Sequence, residues 1–211
     1  MAVFLNEAQA GCDKELLGFP HLLLCLGVVL QTEAWLYGYH FDAPSQTAAN
    51  TVAFANFFRD RGGIGTNGVR LYGAGNWTSR YDGRKQGWMA EMRGIAGALG
   101  YHGPVCGFDT SIIAPEHGTY VEYRREFGAD RCRIFYKRNE KMDYTDTSYM
   151  GASALPSRNI ASFSYDQFTS QMVPAPGSIK VTDRASLQIT PSNEGQLHEV
   201  NYFLRLVSFT V

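Results

Sequence analysis

With 211 residues, 45% of them hydrophobic and 18% charged, the chain has the makeup of a globular protein of one large domain or of a domain with an extension. A formal net charge of -1 leaves no electrostatic footprint for nucleic acid or an acidic membrane, so neither is expected as a partner. The four cysteines (Cys12, Cys25, Cys106, Cys132) form no C-x-x-C pair and the five histidines no H-E-x-x-H, which argues against a disulfide scaffold, a metal and a cofactor.

Residues 2–5 read as a short strand and 6–17 as a helical turn or loop, with Gly18 and Pro20 as punctuation. The stretch 22–42 then reads as a hairpin. Its first arm, residues 22–30, is an apolar run suited to a buried strand. Its second arm alternates Trp35, Tyr37, Tyr39 and Phe41 with Leu36, Gly38, His40 and Asp42, the period of a strand with two unlike faces. A four-residue connection, 31–34, sets Leu30 opposite Trp35, Val29 opposite Leu36, Gly27 opposite Gly38 and Cys25 opposite His40. Directly opposed Cβ atoms lie about 4.5–5.5 Å apart, so thiol and imidazole are expected to touch. Gly27 and Gly38 beside them predict a hollow for a substrate side chain, while the aromatic face anchors the core. The condition is parity: a loop of odd length turns Cys25 and His40 to opposite faces. The run 22–30 is half a membrane span without a basic region before it, so no membrane insertion and no cleaved signal are expected. The expected setting is the cytoplasm, with reduced thiols, or delivery as a secreted effector without a cleaved signal peptide.

Pro44 and Ser45 begin a helix with Ala48, Val52, Ala55 and Phe58 on one stripe, Arg59 and Arg61 near its end and Gly62-Gly63 as its stop. Residues 68–75 form a strand entering a glycine-rich turn without a phosphate-binding motif. A polar loop, 76–86, precedes a helix over 87–99 with Trp88, Met92, Ile95, Ala96 and Leu99 at core spacing. Gly94 and Gly97 on it suggest close packing against a sheet. Strands follow at 104–109, 119–124 and 131–137, then a weakly patterned loop at 140–165 and further strands near 179–181, 186–189 and 200–211. Cys12 is a rival nucleophile without a nearby histidine. Cys106 and Cys132 fall in strand-like runs, and His102 and His117 at turns.

The order of elements (strand with Cys25, strand with His40, helix, Val-Arg-Leu-Tyr-Gly-Ala-Gly strand, helix ending in glycine, Pro-Val-Cys-Gly-Phe-Asp, two strands) resembles the CheD chemoreceptor glutamine deamidases. It is also similar to the catalytic domain of cytotoxic necrotizing factor and related toxin deamidases, over roughly residues 16–138. The resemblance implies an α+β fold, a layered β-sandwich of mixed sheets flanked by helices, in a single domain over 1–211 whose segment 139–211 adds a loop and strands. It further implies that Cys25 attacks the carboxamide of a glutamine on a partner protein, with His40 as proton carrier, to leave glutamate. Gln31, Asp42, Asp109 or a main-chain carbonyl would orient the imidazole. The family commonly places Gly-Ser or Ser-Gly before the nucleophile, and the chemoreceptor enzymes a Thr shortly upstream. This chain has Leu23-Leu24 and no such Thr. A backbone carbonyl does the work of that Thr in toxin members, whereas the Leu23-Leu24 departure favours the alternative, a catalytically inactive binding or structural protein on the same scaffold.

Overall fold

The apolar and alternating runs fold into two sheets. A computed structural model describes residues 2–112, 116, 118–126, 128, 131–139, 178–179, 197–199 and 206–211. In chain order it contains β1 (Ala2–Phe4), β2 (Ala10–Asp13), β3 (Leu16–Leu22), β4 (Leu26–Thr32), β5 (Leu36–Phe41), α1 (Thr47–Asp60), β6 (Gly68–Gly75), α2 (Trp77–Tyr81) and α3 (Lys85–Leu99). It continues with β7 (Pro104–Asp109), β8 (Gly118–Arg125), β9 (Cys132–Asn139), β10 (Ser178–Ile179), β11 (Leu197–Glu199) and β12 (Leu206–Thr210). One sheet runs β12-β7-β6-β4-β5-β2 and the other β1-β3-β8-β9-β11-β10. Both are mixed, with β6–β7, β1–β3 and β10–β11 parallel.

Two apolar clusters show why β4 is buried throughout: both of its faces are covered. Val29, Tyr72, Cys106 and Phe108 meet Leu17, Phe19, Tyr123 and Ile134 of the second sheet. On the opposite face Val28, Leu30, Tyr37, Tyr39 and Phe41 meet Phe54 and Phe58 of α1 and Trp88, Met92 and Ile95 of α3. The result is an α+β stack of sheet, sheet and helices, and the aromatic face of β5 is an anchor as expected. No helix among the described residues is long and apolar enough to cross a membrane.

Several elements depart from the sequence reading. Residues 10–17, read as loop or helical turn, supply β2 and the start of β3, and Gly18 and Pro20 lie inside β3. The apolar run 22–30 is two strands: β3 ends at Leu22, the chain bends, and β4 begins at Leu26. At that bend Leu24 is 48% exposed. In α1 the buried face is Asn50, Phe54, Ala55, Phe57 and Phe58, whereas Ala48 and Val52 face solvent. Three phenylalanines bury more area than the aliphatic stripe and set the rotation of the helix. The polar loop contains α2, capped by Asn76, whose side chain accepts from the Ser79 amide. Gly94 and Gly97 have open space where a Cβ would stand, so they do not mark a close approach to a sheet. The strands at 68–75 and 104–109 form at the expected positions. The expected loop at 140–165, the strand at 186–189 and His117 lie outside the described residues.

Candidate functional site

The hairpin closes more tightly than expected. Thr32 N–H donates to the Trp35 carbonyl at 2.8 Å, leaving only Glu33 and Ala34 in the connection. Gln31 and Thr32, read as loop, continue the strand, and the register shifts by two: Gln31 faces Leu36, Val29 faces Gly38 and Gly27 faces His40. Cys25 precedes β4 and lies outside the paired register, so the expected direct opposition of Cys25 and His40 is replaced by that of Gly27 and His40. Cys25 packs in the apolar cluster between the two sheets, the side on which Phe19 meets the His40 ring.

The turn over residues 5–9 is built around His40. Ala8 N–H donates to the His40 carbonyl at 2.8 Å, and His40 N–H donates to the Gln9 carbonyl at 2.9 Å. The ring Nδ1 lies 2.7 Å from the Leu5 carbonyl. A carbonyl only accepts, so Nδ1 carries the hydrogen and Nε2 holds the lone pair. Nε2 is buried and meets no hydrogen-bond partner among the described residues. Burial, the dominant cause, pulls the His40 pKa down to about 4, against the opposing Leu5 hydrogen bond, so the ring is neutral near pH 7. The group orienting the imidazole is thus the Leu5 main chain. Asp42 instead accepts from Asn50, Asp109 from the amides of Trp77 and Ser111, and Gln31 from Tyr72.

Cys25 is 3% exposed, and its Sγ donates to Glu7 Oε1 at 3.0 Å. Burial first, then the Glu7 hydrogen bond and charge, push the thiol well above the ordinary cysteine range. Glu7 stands on the exposed tip of the turn. The resting pair is consequently a protonated thiol and a neutral imidazole.

Gly27 and Gly38 do not open a hollow. A Cβ on Gly27 would stand 2.8 Å from Phe19 Cγ, and one on Gly38 would stand 2.8 Å from Leu17 Cδ1 and 3.1 Å from Leu5 Cδ1. The expected substrate recess is filled by the facing sheet, and Phe19 also meets the His40 ring edge-on at 5.9 Å between centroids. The glycines admit this close approach of the two sheets rather than a ligand.

No family model and no curated protein matches this chain.

Behind the pair, Arg80 of α2 fastens the open end of the hairpin. Its Nη1 donates to the Leu24 carbonyl at 2.6 Å and the Asp42 carbonyl at 2.5 Å, tying the chain just before Cys25 to the end of β5. Nε and Nη2 reach both oxygens of Glu91, and Nη2 also reaches Thr47. In a trans peptide the carbonyl and the following N–H point in opposite directions. With the Leu24 carbonyl held by Arg80, the Cys25 N–H therefore points away from the guanidinium.

Sequence reasoning missed Glu7, Arg80 and the Leu5 carbonyl, and also His21. That residue is buried at a positive φ of 56° where the β3–β8 register shifts, and its charge opposes protonation of His40. Glu7 and Leu5 sit in a turn with no motif. Arg80 follows Asn76 and Trp77 in a stretch whose helix-capping pattern was the available signal. Cys12 packs in the helix-side cluster, with its pKa raised to about 11 chiefly by burial, and Cys132 is raised to about 12 by the same cause. Neither has a histidine partner among the described contacts. Among the described residues no group of three or more His, Cys, Asp or Glu side chains could hold a metal.

Proposed function

We propose that the chain is a thiol amidohydrolase of the CheD and toxin-deamidase kind, converting a glutamine side chain of a partner protein to glutamate. The observation that carries this reading is the His40 ring, fixed by the Leu5 carbonyl with an unpartnered Nε2 on the sheet face that holds Cys25. Rotation of the Cys25 thiol from Glu7 toward Nε2 allows the imidazole to accept the proton as the sulfur attacks the carboxamide carbon. With the imidazole weakly basic and the thiol weakly acidic, proton transfer accompanies attack rather than preceding it as a resting ion pair. The Cys25 N–H, aimed by the Arg80-held peptide, supports the developing oxyanion. The C–N bond breaks and ammonia departs with the proton from Nε2. Water, deprotonated by the same nitrogen, then opens the thioester to carboxylate and thiol.

The test is alkylation of Cys25 by iodoacetamide in a Glu7→Ala variant, with Cys12 as internal reference. Cys25 reacts faster than in the parent protein, and His40→Gln removes the gain. A rate indifferent to His40 would sink the assignment. A second reading, a silent binding protein on this scaffold, draws on the covering of the pair: Cys25 is 3% and His40 0% exposed. It predicts that alkylation responds to the loss of Glu7 but not to the loss of His40.

A further inference from the structure

The Glu7 carboxylate is the chemical product of deamidating a glutamine, and it is held against the thiol by a structured turn. Three of the turn's residues, Leu5, Ala8 and Gln9, bond to His40, while Gln9 Oε1 accepts from the Asn6 amide at 2.7 Å. Ala8 takes a positive φ of 57°, a costly conformation for a residue with a side chain, at the position just after Glu7. The turn thus delivers one side chain to Cys25. With Oε1 3.0 Å from Sγ, the Glu7 carboxyl group is in direct hydrogen-bond contact with the thiol. A carboxylate and a carboxamide share their planar shape, so the same seat accepts either.

We propose that Glu7 occupies the seat of the substrate's γ-carboxamide, so that the resting protein carries its own product analogue and an incoming glutamine enters by displacing it. The inference rests on the amidohydrolase reading and adds where the substrate side chain lies and what holds the site in reserve. In a Glu7→Gln protein the introduced amide becomes a substrate in cis. Sulfur adds to its carboxamide carbon, ammonia leaves with the proton from His40, and water hydrolyses the thioester, restoring glutamate and the thiol.

The experiment follows the full-length Glu7→Gln protein by intact mass and by sequencing of the peptide that carries position 7. Expected is a progressive gain in mass from amide-to-acid conversion at that position, with Gln9 in the same peptide unchanged. Adding Cys25→Ser or Cys25→Ala abolishes the conversion, and adding His40→Gln slows it. Conversion that persists without the thiol is spontaneous and overturns the inference. If the amide survives while Cys25 alkylation in the same protein depends on His40, the seat is misassigned and the amidohydrolase reading stands. If the amide survives and alkylation ignores His40, both fall.

Discussion

Arg80→Met is the most informative single change. The guanidinium donates to five oxygens: both of Glu91, Thr47 Oγ1 and the carbonyls of Leu24 and Asp42. The side chains of Arg80 and Glu91 are 0% and 8% exposed, so solvent screens the pair little. Burial alone would lower the arginine pKa, but Glu91 outweighs it, and the charged pair is the resting state. Removing one partner of a buried pair costs about 3–5 kcal/mol, largely because the other charge is stranded. Tyr81 still donates to Glu91 at 2.6 Å, which favours the low end, about 3 kcal/mol. With a urea m-value of about 2 kcal/mol per molar, the unfolding midpoint falls by about 1.5 M. Chemical denaturation followed by tryptophan fluorescence reads this directly. Arg80→Met combined with Glu91→Leu regains more than half of the loss, since the stranded carboxylate is gone. A loss below about 1 kcal/mol for Arg80→Met alone would refute the clamp as a stabilising feature.

Because His40 has a pKa of about 4 folded and about 6.5 unfolded, the unfolded chain binds the proton more readily. Its contribution to stability is complete above pH 6.5 and falls as the pH drops toward 4, by a total of about 3 kcal/mol. Urea midpoints measured across that window should show the slope, and His40→Gln should flatten it. If both proteins have the same slope, the ring is not buried as a neutral base. Two glycine substitutions should act in opposite directions in thermal melts. Gly27→Ala, whose Cβ would crowd Phe19, destabilises by about 1–3 kcal/mol. Gly94→Ala, with open space around it in α3, stabilises by about 0.5–1 kcal/mol.

Strands bounded by glycine or proline and a hard charge were readable: β6 and β7 form where their composition places them. The face of His40, opposite to that of Tyr37, Tyr39 and Phe41, was readable because alternation along β5 carries parity. The register was not, because Gln31 and Thr32 look like loop residues. Gln31 stays in the strand because its side chain accepts from Tyr72 at 3.0 Å and Cys132 at 3.3 Å, partners 41 and 101 positions away. The orientation of α1 was missed for a related reason. Aliphatic spacing suggested one stripe, but the rings of Tyr37 and Phe41 select Phe58 and Phe54 as their neighbours. Neither the Leu5 contact to His40 nor the Glu7 contact to Cys25 follows from local pattern, since each joins segments brought together only by the packed sheets.

The bonds from Leu5, Ala8 and Gln9 to His40 constrain how Cys25 can be uncovered. Peeling the segment back would break the Leu5 bond that fixes the His40 tautomer, so wholesale loop opening would unfix the imidazole it exposes. Glu7 χ rotation breaks none of those links. Exposed side chains hop between rotamers in picoseconds to nanoseconds, so rotation of Glu7 away from Sγ would uncover the thiol with the surrounding backbone left in place.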